Sequence, residues 1–189
     1  MRESALRGIA AFRTNVEKQL KPSMNIVAET HDYFCYMLCV TSQEETLFTD
    51  LQKELNLQGV LSQSGDFHVT VRHVKRNDYE PFVDYLKTLD LPVIKGVCRE
   101  WAILGKNKDA LVIQIESTEL HSYFKEINQW LLDHDYPNSD YPEFRPHITL
   151  TYDPGVIKPE WKKQYEKAIE LRIHIVKDTN DNVVFRREI

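Results

Sequence analysis

Two segments of this chain share one short pattern: Phe67-His68-Val69-Thr70-Val71 and Pro146-His147-Ile148-Thr149-Leu150. On a β-strand, residues two apart point to the same side. Each His therefore shares a face with its Thr, while Val69, Val71, Ile148 and Leu150 point the other way, into a core. With seven His and eleven Thr in 189 residues, two such matches have a chance probability of roughly 0.01 when template matches are counted. A chain with this pattern twice must build two strands that each carry one polar and one buried face.

The rest of the sequence reads as mixed α and β. Tyr33–Val40 is aromatic and β-rich and reads as a strand. Ser42 with Glu45 three residues on forms a capping box, opening a helix to about Leu55. Asp66–Val74 and Phe144–Tyr152 are the two motif strands. Asp78–Leu89 and Ser117–His134 have helical spacing. Val93–Leu104 with Ala110–Glu116, and Ala168–Val176 with Asn182–Arg187, read as two hairpins. Trp161 and Tyr165 fall on one face of a short helix, Glu160–Lys167, that packs or covers a cleft. Residues 135–143 form a polar loop before the second motif. Arg2–Leu20 reads as an amphipathic helix ended by Lys21-Pro22. The expected organisation is an N-terminal helical extension over residues 1–24 and one α+β domain over 25–189, with antiparallel sheets and helices packed outside.

Net charge is −5, with 42% hydrophobic and 28% charged residues. That composition is globular, and the acidic balance favours a small ligand over a long polyanion. No apolar run reaches the roughly 20 residues of a membrane-spanning helix. The N-terminus lacks the features of a secretory signal. Cys35, Cys39 and Cys98 are odd in number and read as reduced, buried thiols of a cytoplasmic protein.

The paired motif suits phosphodiester cleavage by a ribose 2′-hydroxyl. One neutral imidazole takes the hydroxyl proton, and one protonated imidazole supplies a proton to the leaving oxygen. Thr hydroxyls beside them donate to non-bridging phosphate oxygens as charge builds. His-x-Thr lacks the carboxylates that usually complete a hydrolytic metal site, so neither metal nor cofactor is expected. For one motif alone, a strand His satisfied by its neighbouring Thr is the simpler reading; for two, the catalytic one is.

Paired His-x-Thr-apolar motifs resemble the signature of the 2H phosphoesterase superfamily over roughly residues 33–187. The resemblance implies two similar lobes meeting at a concave sheet, with His68, Thr70, His147 and Thr149 lining one cleft as catalytic residues. Within it, the layout is similar to the phage anti-CBASS nucleases, which degrade cyclic di- and trinucleotide messengers. This implies a phosphodiesterase acting on such a small molecule in a host cytoplasm, with no long nucleic acid and no membrane as partner. It also implies that Tyr36 and Trp101 stack on nucleobases; read from the residues alone, an aromatic on a strand is usually core. Arg145 shares the His147 face and reaches either a phosphate or a surface carboxylate. Arg72, His73, Lys75 and Arg76 attract phosphate at a cleft mouth or form a solvated strand end. Strand parity puts His73 and Tyr152 off the reactive face. Two other readings remain: an RNA 2′,3′-cyclic phosphodiesterase or RNA-end processing enzyme with the same quartet, and a non-catalytic module that sequesters nucleotides.

Overall fold

The computed structural model describes residues 32–189 apart from 58, 64, 66, 106–109, 138–142, 153 and 155–164. The expected N-terminal helix, the 1–24 boundary, the tip of the 105–109 turn and most of the expected helix over 160–167 lie outside the described residues.

Apolar alternation builds the strands. In β1 (Phe34–Val40), Phe34, Tyr36, Leu38 and Val40 are all fully buried. Cys35, Met37 and Cys39 point to the other face, where Met37 and Cys39 pack with Ile173 and Ile175 in a second, smaller cluster. Helix α1 (Ser42–Glu54) starts one residue earlier than its sequence signal. The cap is Thr41, whose side chain accepts from the Glu44 N–H while Glu44 reaches back to the Thr41 N–H. A Thr and a Ser both precede Glu pairs here, so the pattern fits either register.

The two-residue strand β2 (Val60–Leu61) has no sequence signal; it exists through pairing with Tyr152 and Thr151. It is followed by β3 (His68–Val74), α2 (Glu80–Thr88), β4 (Ile94–Leu104) and β5 (Ala110–Glu116). Helix α3 (Thr118–Asp133) is capped by Ser117, whose hydroxyl accepts from the Leu120 N–H and donates to the Lys95 carbonyl. The chain ends with β6 (His147–Tyr152), β7 (Lys167–Lys177) and β8 (Val183–Glu188). No helix among the described residues is long and apolar enough to cross a membrane.

These strands pair antiparallel, in the order β2-β6-β5-β4-β7-β1-β3, with β8 on β7. The main core, including Phe48, Phe82, Leu86, Leu120 and Ile127, lies between one face of this sheet and the helices. The motif strands β3 and β6 stand far apart in hydrogen-bonding order, yet their Cα atoms approach within 8 Å. The sheet therefore curls until its first and last long strands are neighbours, as accumulated strand twist allows.

Candidate active site

The two motifs occupy the start of β3 and the start of β6. In both, His and Thr are half-buried while the residues between and after them are buried: Val69 and Val71 at 0% and 2% exposure, Ile148 and Leu150 at 0%. Cross-strand register confirms which face is which. His68 sits opposite Cys39 and Thr70 opposite Met37, both on the face away from the main core. His147 sits opposite Gln114 and Thr149 opposite Val112, again away from the helices. The structure thus brings the four motif side chains of two spatially neighbouring strands onto the face that carries no helix among the described residues.

Each motif is followed at once by a β-bulge. On β3, Tyr36 opposes Arg72 but Met37 opposes Thr70, leaving Val71 as the extra residue. On β6, Leu111 opposes Thr151 but Val112 opposes Thr149, leaving Leu150 extra. A bulge inserts one residue and reverses the facing of everything after it. Arg72 and Thr151 consequently turn into the interior, at 2% and 0% exposure. His73 and Tyr152 turn back to the reactive side, both exposed. Simple strand parity assigns them to the other face; the bulges correct that assignment. His73 packs its ring on Tyr33 at 4.6 Å between centroids.

The His147 ring is held from behind. Its Nδ1 lies 2.6 Å from the Arg145 carbonyl oxygen. A carbonyl only accepts, so Nδ1 carries a proton and Nε2 is the atom left for chemistry. Thr70 has a sulfur neighbour: its side chain hydrogen-bonds Cys35, whose thiol burial pushes up to about 11, keeping it protonated near neutrality. Strand β6 is also braced at its back, where the buried Gln52 amide donates to the Leu150 and Ser62 carbonyls at 2.7 and 2.9 Å.

The remaining expected contacts fall elsewhere. Tyr36 is fully buried on the helix side of β1. Its hydroxyl is 2.6 Å from both Tyr123 Oη and His174 Nδ1, so it is a core residue and not a stacking platform. The Pro92 carbonyl, 2.9 Å from His174 Nε2, fixes the tautomer: Nε2 donates, Nδ1 accepts from Tyr36, and Tyr36 accepts from Tyr123. Burial holds His174 below the ordinary imidazole value and raises both tyrosines.

Trp101 sits opposite Ile113, whose side chain is in the main core. It packs partly buried on that side, its ring 6.0 Å from Tyr165, facing away from His147. Ala102, opposite Val112, and Leu104, opposite Ala110, are the β4 neighbours of Trp101 that fall on the reactive side. Arg145 directs its guanidinium to Glu143, with Nε and Nη2 at 2.9 and 2.7 Å from one carboxylate oxygen; of the two alternatives, the surface ion pair is the one found. Of the basic run, His73 and Lys75 are exposed, whereas Arg72 is buried and Arg76 pairs with Asp78. Sequence reasoning misplaced His73 and Tyr152, because nothing local marks a bulge after a Thr, and it missed Cys35 as a partner of Thr70, because that contact depends on the pairing of β1 with β3.

A curled antiparallel sheet with helices on one face and twin His-x-Thr strands on the other is the 2H phosphoesterase fold. Solved structures share it at low identity. TT0787 of Thermus thermophilus superposes with a TM-score of 0.65 at 11% identity, over 82% of this chain and 97% of that one. LigT of E. coli, complexed with 3′-AMP, gives 0.62 at 11% identity, over 84% and 98%. Usb1 of Kluyveromyces marxianus gives 0.51 at 8% identity, over 85% and 99%. Among curated proteins none matches in sequence. The narrower placement comes from the family profile of the anti-CBASS protein Acb1, which matches residues 33–185. The chain belongs to the Acb1 family.

Proposed function

We propose that this protein cleaves 3′–5′ phosphodiester bonds of cyclic di- and trinucleotide messengers, without a metal, by paired His acid–base catalysis, and so counteracts antiphage signalling. The observation that carries the reading is the duplicated His-x-Thr-bulge on two adjacent strands. It supplies two imidazoles and two hydroxyls to one face, in a member of the anti-CBASS Acb1 family.

In the proposed step, one imidazole accepts the 2′-hydroxyl proton as the O2′–P bond forms. The P–O5′ bond breaks, and the second imidazolium protonates the departing O5′. The products are a 2′,3′-cyclic phosphate and a free 5′-hydroxyl. Thr70 and Thr149 donate to the non-bridging oxygens, where negative charge grows. The backbone hold on His147 Nδ1 leaves Nε2 to exchange the proton. Because Tyr36 and Trp101 are on the core side, the rings that a base could meet include, among the described residues, Tyr33 with His73 toward the far end of β3 and Tyr152 at the end of β6. That E. coli LigT was crystallised with 3′-AMP supports a nucleotide in this fold.

The test is incubation in excess EDTA with cyclic di- and trinucleotides and, in parallel, 2′,3′-cyclic mononucleotides, with products resolved by mass. Opening of the cyclic oligonucleotides is expected. Turnover of the mononucleotides alone would move the assignment to RNA-end chemistry. Binding without cleavage of any substrate would leave a sequestering module.

A further inference from the structure

A buried guanidinium lies directly behind the first motif. Arg72 follows Thr70 by two residues, and the bulge at Val71 turns it into the core, where it is among the largest fully buried side chains. A buried charge is tolerated only when held by strong partners. Its Nη2 donates to the Pro137 carbonyl at 2.8 Å. Pro137 follows the C-terminal end of α3, on the chain that runs to the second motif.

Three more contacts fasten the neighbouring residues Asp135 and Tyr136 to the same place. Arg76 Nη1 donates to the Asp135 carbonyl at 3.0 Å, and its guanidinium carbon lies 4.7 Å from the Tyr136 ring centroid. Tyr136 donates its hydroxyl to the Asp78 carbonyl at 2.8 Å. Residues 135–137 are thus clamped by the end of β3 and the turn after it. Helix α3 passes this anchorage on to the second motif. Its Phe124 stacks on Phe144 at 4.0 Å and 5°, and Phe144 is three residues before His147. Contacts therefore run from β3 through Arg72 to residues 135–137, and from α3 to Phe144, from which the chain continues three residues to His147.

We propose that Arg72 is a positioning residue: it ties the end of α3 to the first motif strand and so sets the separation of the His68 and His147 rings. It touches no substrate. Its effect is on how well two groups from distant strands meet at one phosphate, which is where misplacement by about 1 Å can cost about 100-fold in rate. This inference rests on the acid–base reading for its kinetic consequence, but its structural consequence is independent of it.

The experiment uses the full chain with ¹³C-labelled histidine and the variants R72M, R72K and R76A. Ring resonances of His68 and His147, thermal unfolding, and kcat and KM for whichever phosphodiester the wild type opens are measured together. R72M is expected to shift the His147 ring signals, although His147 is 75 positions away in sequence. It should also lower kcat by about 100-fold with KM within about threefold. R72K, keeping charge but one donor group, should recover part of the loss. If R72M does not fold, R72K and R76A carry the test through the same shifts, smaller in size. Unmoved His147 resonances in folded variants, or kcat within twofold of wild type, would overturn the proposal. A wild type inert on every phosphodiester would sink the acid–base reading, while the ring shifts would still decide whether Arg72 sets the geometry.

Discussion

The two motif strands follow one pattern and differ most in their buried polar residue. Both run His-x-Thr, then a bulged apolar residue, then a buried polar residue, then an exposed ring: Val71, Arg72 and His73 on β3; Leu150, Thr151 and Tyr152 on β6. The environments differ. Strand β6 lies between β5 and β2, and its buried Thr151 is satisfied locally, donating within reach of the Val60 and Tyr152 carbonyls at 3.2 and 3.0 Å. Strand β3 ends the hydrogen-bonding path, and its buried Arg72 reaches across to Pro137. The comparison teaches that the half with fewer strand partners carries the long-range tie. A short hydroxyl suffices where the sheet itself supplies the neighbours.

If the halves are chemically equivalent, breaking either should be nearly total. His68→Ala and His147→Ala are each expected to lower kcat by about 10³-fold or more, since a positioned acid or base contributes about 10²–10⁴-fold. The double variant should be little worse than either single one, because the two act as a unit. A tenfold or larger disparity between the singles, read by steady-state kinetics, would break the symmetry. Thr70→Ala and Thr149→Ala come next, at about 10²-fold in kcat with little change in KM, the size expected for losing one donor to developing charge.

The core network is a smaller lever and should act on stability alone. Tyr36→Phe strips the central hydroxyl from between His174 and Tyr123 and is expected to cost about 1–3 kcal/mol in chemical denaturation, with KM unchanged. A raised KM with intact stability would instead restore Tyr36 to substrate binding. His174 gives that network a pH signature. Its folded-state value is lowered by burial, so the folded protein favours the neutral ring. Its contribution is complete above the unfolded value near 6.5 and is lost as pH falls through the lower folded value. Unfolding midpoints should drop on acidification from about pH 6.5, and His174→Phe should flatten that part of the curve. Smallest of all, Trp101→Ala is expected to leave KM within about twofold while lowering the thermal midpoint, because its ring packs on the core side. A several-fold rise in KM would contradict the register placement.

Much of this is legible in the residues, for identifiable reasons. Long periodic segments such as Ser117–His134 and the Ala110–Glu116 strand appear within a residue of their expected ends, because burial on one face dictates their pattern. The twin motifs announce a shared face because strand parity holds up to the Thr. Beyond it, parity fails at Val71 and Leu150, where a bulge depends on the partner strand and not on local sequence. Tyr36 and Trp101 look alike whether they face a cleft or a core; only the register with Val176 and Arg72, and with Ile113, separates the cases. Arg72 reads as solvated because its partner lies 65 residues away. Strand β2 is two residues long and owes its existence to β6.

In the proposed reaction His68 and His147 address the same phosphate. This is tested most directly by titrating ¹⁵N-histidine-labelled protein with a 2′-deoxy cyclic dinucleotide, which lacks the attacking hydroxyl, and following the ring nitrogens by NMR. Both imidazoles are expected to shift together along one saturation curve, with the analogue left intact. A response from one ring alone, with the other unchanged at saturation, would contradict the account.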